Sequence, residues 1–167
     1  MSAAVSMLQG ALDAATMEPP VEWPERFVQA VVAVLSAEAP GAFRVDAMPD
    51  KVAEYDIASY DGAILVHYRG SKYVGGNGRS PAVLQRRFDF DVHVIARGLA
   101  GKAGAPNVVE AVRRILQNRQ IEGSLPLAPV EDGLHAEEKG AWIYVITFRG
   151  EIPAIGGRHP HPSEIAR

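Results

Sequence analysis

The stretch Leu84-Gln-Arg-Arg-Phe-Asp-Phe-Asp-Val-His-Val-Ile-Ala-Arg97 decides the fold. Phe88, Phe90, Val92 and Val94 alternate in it with Arg87, Asp89, Asp91 and His93. A period of two sends alternate side chains to opposite faces of a pleated strand, so one face is apolar and the other charged. Such a strand belongs to a sheet covered on one side and open on the other, and the open side meets either water or a partner.

Reading outward toward the N-terminus, Gly70 to Pro81 contains Gly75-Gly76-Asn77-Gly78 and is expected to be an extended hairpin loop. Before it, the Asp61-Gly62 turn signal opens Gly62-Ala-Ile-Leu-Val-His-Tyr-Arg69, an apolar run with β-branched members that predicts a second strand. Turn residues around Met48-Pro49-Asp50 forbid a long element there, and Ala42 to Val45 predicts a short strand. Pro24 suits the first turn of a helix, and Phe27, Val31, Val34 and Leu35 form its apolar face until Pro40-Gly41 stops it. Residues 1 to 17 place Val5, Leu8, Leu12 and Ala15 on one thin stripe interrupted by Gly10, which predicts a short helix in need of a partner surface.

Toward the C-terminus, Gly98 to Pro106 is a flexible connection. Val108, Val112, Ile115 and Leu116 then form a helical stripe that ends near Arg119. Leu125 to Leu134 contains proline and predicts an edge or bulged strand, while Ala141 to Glu151 is apolar on both faces and predicts a central one. From Gly156 the chain lacks apolar residues that could pack, so a flexible tail is expected over 156–167. The order predicts an α+β fold: a two-layer, mostly antiparallel (mixed) sheet of about four to five strands with two main helices on one face. Residues 1–155 then form a single domain, with 1–20 as an N-terminal helix or arm.

At 167 residues and 47% hydrophobic content, the chain has enough apolar material for one real core. Seventeen Lys and Arg against twenty Asp and Glu argue against a dedicated nucleic-acid binder. No cysteine is present, which rules out a disulfide framework, a thiolate metal site and a cysteine nucleophile. No secretion signal opens the chain, and no run approaches the ~18 apolar residues of a membrane span, so a soluble cytoplasmic protein is expected.

Asp89, Asp91 and His93 stand two apart on one strand face and together could hold a hard divalent metal or stage acid–base chemistry. The same spacing is what any half-exposed strand shows, and no further carboxylate cluster is paired with it, so contact with a partner is the expected role. His159-Pro160-His161 supplies two metal ligands and no fixed geometry. His67 lies in an apolar strand and reads as a satisfied histidine in or near the core, and His135 reads as a turn residue without chemistry. The loop around Gly75 to Ser80 lacks the lysine and the following helix of a phosphate-binding loop. No nucleophile elbow is visible. The sequence therefore indicates no catalytic residue, no cofactor and no metal. Arg69, Lys72, Tyr73, Arg79, Arg86, Arg87, Asp89, Asp91 and His93 are the candidate subunit or partner contacts, and Arg86, Arg87 and Arg97, which flank the long strand, are expected to salt-bridge a neighbour or one another.

Four segments, Asp61 to Ser71, Arg86 to Arg97, Val108 to Leu116 and Trp142 to Phe148, together resemble the tail terminator proteins of Mu-like bacteriophages. The likeness spans roughly Phe27 to Ala154 and rests on a pattern of elements rather than an invariant motif. It implies a virion protein that forms a ring, usually a hexamer, at the head-proximal end of the tail, after a period in the host cytoplasm. That ring would end tail-tube polymerisation and offer a surface to the neck. The implied partners are other copies of the chain, the tail tube protein and a neck or head-completion protein, with DNA only passing through the lumen. An acidic chain suits that passage, because a basic lumen would hold phosphates. Another neck component is an alternative. A metal-dependent hydrolase using Asp89, Asp91 and His93 is a second.

Overall fold

The computed structural model describes residues 22–74 and 84–154. The expected N-terminal helix, the Gly75 to Pro81 part of the loop with Arg79, and the C-terminal tail lie outside them. Helix α1 (Trp23–Glu38) begins with Pro24 in its first turn, and its final carbonyls are closed by Ala39 N–H donating to Leu35 O at 2.8 Å. Phe27, Val31 and Leu35 recur every four residues and are fully buried, so this helix docks along one stripe. Helix α2 (Ala105–Leu116) buries Val108, Val109, Val112 and Leu116. It stops three residues before the expected end, because the chain reverses at Asn118, whose φ is 63° and whose N–H donates to Leu127 O.

Five strands follow the expected order: β1 (Phe43–Ala47), β2 (Gly62–Val74), β3 (Leu84–Ala96), β4 (Ala128–Glu138) and β5 (Ala141–Ala154). They form one sheet ordered β1-β2-β3-β5-β4, antiparallel except that β1 runs parallel to β2. The class is α+β, with a mixed sheet under two helices. The strand that decides the fold is thus the middle one, and β5 lies inside the sheet as its two apolar faces require. Strand β4 is the proline-bearing edge, shifted along the chain from the expected range.

Phe88, Phe90, Val92 and Val94 of β3 meet Ile64 and Val66 of β2, Ile146 and Phe148 of β5 and both helices in one core. Phe27 sits edge-on to Phe88 and Phe90 at 4.8 and 5.0 Å, and Phe90 stacks on Phe148 at 5.4 Å. Burying an aromatic ring here contributes its apolar area plus about 0.5–1.5 kcal/mol for each favourable ring pair.

Strand β2 runs five residues past Arg69, so the connection to β3 is shorter than the sequence suggests. Backbone pairing of Gly70 to Val74 with Gln85 to Asp89 continues the ladder although the apolar alternation has ended. The pattern is broken by a bulge: Tyr68 opposes Phe90 and Gly70 opposes Asp89, which leaves Arg69 without an opposite residue. Strand β4 has two similar shifts, at Val130 and His135.

One end of the second sheet face is also covered. The segment from Met48 to Asp61 returns the chain between the parallel strands β1 and β2. It is tied down by Arg44 donating to Asp56 O at 3.0 Å and Arg97 donating to Ile57 O at 3.2 Å. The Arg44 guanidinium lies 4.5 Å from the centre of the Tyr55 ring. Ala63 and Leu65, which point away from the helices, are accordingly fully buried.

Candidate functional site

The rest of the second face carries the charged residues of β3, and cross-strand register decides what each one meets. Arg87 opposes Glu151, Asp89 opposes Arg149, and Asp91 lies between His67 and Thr147. These are ladders of complementary partners rather than a row of free charges. Arg149 holds Asp89 with two hydrogen bonds of 2.8 and 2.9 Å, a bidentate pair that keeps the Asp89 carboxyl below its ordinary range. Arg87 donates to Glu151 at 2.9 Å. Asp91 accepts from the Thr147 hydroxyl at 2.7 Å, and Arg69 stands 3.7 Å from its other oxygen.

The expected Asp89, Asp91 and His93 set therefore does not act as one site. All three project to the same face, but Asp89 is engaged by Arg149. His67, Asp91 and His93 come together instead, each placing one ligand-capable atom within 4.8 Å of the other two. His67 is exposed on the open face, not set in the core, because β2 alternates and its odd residues point away from the helices. His135 is not in a turn. It is the extra residue of a β4 bulge, and its ring lies 6.3 Å from that of His93. Asp91, His93, His135, Glu131, Asp132 and Arg69 are among the residues lining a cavity of about 400 Å³ on this face.

His93 is the least comfortable member. Burial pushes its pKa down, an effect that neighbouring Asp91 opposes and His67 and His135 reinforce. Its Nε2 is buried and has no hydrogen-bond partner.

The other candidate contacts divide between the faces. Lys72 is exposed on the open face beside Arg69, Arg87, Asp89 and Arg149, around a second hollow of about 270 Å³. Arg86 points to the helix side. Its guanidinium lies 4.4 Å from the centre of the Trp23 ring, and it donates to Ser71 Oγ at 2.7 Å and to the Tyr68 hydroxyl at 2.9 Å. Tyr73, 61% exposed, flanks the same group. Arg86 and Arg87, adjacent in sequence, thus belong to different surfaces. Of Arg86, Arg87 and Arg97, expected to salt-bridge a neighbour or one another, Arg87 pairs with Glu151 within the chain, whereas Arg86 bonds to Ser71 and Tyr68 and Arg97 to the Ile57 carbonyl. Arg149, Thr147 and Glu151 were not legible as site residues, since only the β3–β5 register places them opposite the acidic strand.

The fold and this face define an α+β protein whose open sheet surface is a field of paired charges with a histidine cluster at its centre. The chain belongs to the Gp37 protein family, whose model matches residues 31–165. Among solved structures it is similar to a chain described as "Virion of native gene transfer agent (GTA) particle", with a TM-score of 0.54 and 18% identity over 78% of this chain and 97% of that one. At that identity the likeness is one of fold. No curated protein matches the chain.

Proposed function

We propose that the protein is a structural component of a phage-like virion and acts as a tail terminator. It assembles into a ring, a homohexamer, on the head-proximal end of the tail tube, ends tube polymerisation and presents a surface to the neck or head connector. The observation that carries this reading is that the likeness to the virion chain spans nearly all of that chain, 97%, so the whole fold is shared and not a fragment of it. The resemblance of β2, β3, α2 and β5 to tail terminators of Mu-like phages agrees with it.

The paired surface suits such a role. A closed ring needs heterologous contacts, in which one surface of each subunit meets a different surface of the next. Rows of alternating Lys72, Arg87, Glu151, Asp89 and Arg149 offer both signs for exchange with a neighbour, and Tyr73 and Arg86 on the other side offer an aromatic and arginine patch. On this reading the work is done by surfaces, and no catalytic residue is assigned. A second neck role, tail completion or head-tail joining, would use the same surfaces.

Electron microscopy of particles produced without this protein distinguishes these roles. Overlong, irregular tubes are the expected outcome. Tails of normal, uniform length would refute the terminator role, and normal tails that fail to join heads would assign the protein to the joining step.

A further inference from the structure

We propose that His67, Asp91 and His93 form a binding site for a first-row transition cation of the zinc type. The site goes beyond the assembly role and does not depend on it. Two neighbouring strands build it: His67 on β2 lies directly opposite Asp91 on β3, and His93 is two residues further along the same face. Their ligand atoms lie within 4.8 Å of one another. A tetrahedral ion with bonds of about 2.0–2.1 Å separates its ligands by roughly 3.3 Å. Rotation of the exposed His67 side chain is the movement this site calls for to close the difference.

Three further features favour an ion over a solvated cluster. The His93 Nε2 is buried without a partner, and leaving a buried polar atom unpaired is unfavourable, which a metal bond would offset. Asp91 is oriented by the Thr147 hydroxyl, itself on a residue only 5% exposed, as outer partners orient metal-binding carboxylates. Arg69, the cation now nearest Asp91, makes only a long 3.7 Å contact from a side chain half exposed to water, so it is easily displaced. Two imidazoles and one carboxylate select a borderline ion such as Zn²⁺ over Mg²⁺ or Ca²⁺, which prefer all-oxygen sites. Asp91 and His93 line the 400 Å³ cavity, so a water can fill the fourth position from it.

The test is calorimetric titration of the full chain with zinc chloride. The background protein carries His159→Ala and His161→Ala, which removes the competing histidine pair near the C-terminus. The expected result is saturable binding of one zinc per chain. His67→Ala and His93→Ala should each weaken it at least tenfold, and Thr147→Val by about tenfold. His67 is exposed, so His67→Ala carries the test even if His93→Ala fails to fold, as circular dichroism would show. Absence of binding in the background protein, or binding unchanged by His67→Ala, would overturn the proposal.

Discussion

Asp89 and Arg149 face each other across β3 and β5, and their pairing has a defined pH signature. The guanidinium lowers the Asp89 pKa in the folded state, so the unfolded chain binds more protons at acid pH. The pair's contribution is complete above the unfolded carboxyl value of about 4 and fades as pH falls through the lower folded value. Arg149→Met should therefore lose less stability than the parent between about pH 5 and pH 2, as urea denaturation at a series of pH values would measure. With both side chains partly exposed, a double-mutant cycle with Asp89→Asn at pH 7 is expected to give no more than about 1 kcal/mol of coupling. Gly62 shows a harder constraint. A Cβ there would lie 2.0 Å from the Ile95 carbonyl oxygen and 2.6 Å from the Phe43 ring, and no rotamer change relieves the first, which is a contact with backbone. Gly62→Ala should destabilise by about 1–3 kcal/mol in the same assay.

Strand β3 joins the two layers, and its even-numbered residues carry most of that work. Phe90 is fully buried between Phe27 above and Phe148 beside it, so Phe90→Ala should cost about 3–5 kcal/mol in chemical denaturation. On its other face the partly exposed Arg87 and Asp89 should be replaceable at much lower cost. The sequence announces this element clearly, because a period of two sustained over a long strand has no helical reading. Helix α1 is equally plain, since Pro24, Pro40-Gly41 and the four-residue spacing of Phe27, Val31 and Leu35 mark both limits and the buried stripe. What periodicity misses is the bulge. A single extra residue resets the alternation, and so the end of β2, the position of β4 and the placement of His135 were all hidden. The histidine cluster was hidden for a related reason: Asp91 and His93 are neighbours along one strand, but His67 joins them only through the β2–β3 register, which two segments in isolation do not reveal.

Across the whole molecule, stability should grade from the middle strand outward. β3 is paired on both sides and roofed by both helices, β2 and β5 are also paired on both sides, and β1 and β4 are edges. Backbone amides of β3 should exchange most slowly with deuterium, and those on the outer sides of β1 and β4 fastest; fast exchange at Phe90 to Val94 would contradict this order. Strand β4 leaves Val130 and Leu134 about half exposed on its open edge, where its two register shifts and Pro129 discourage sheet extension.

Arg69 has a consequence for how chains of this type can differ in length. Between Gly62 and Val74 it is the one residue of β2 with no opposite number on β3. Deleting it would leave every other pair of that ladder with its present partner. Deleting Ile64 or Leu65 instead would slide the apolar stretch by one place and turn its side chains to the wrong face. One residue can thus be lost in descent at position 69 without disturbing the core, and the change would be felt on the open face, at Asp91 and Asp89.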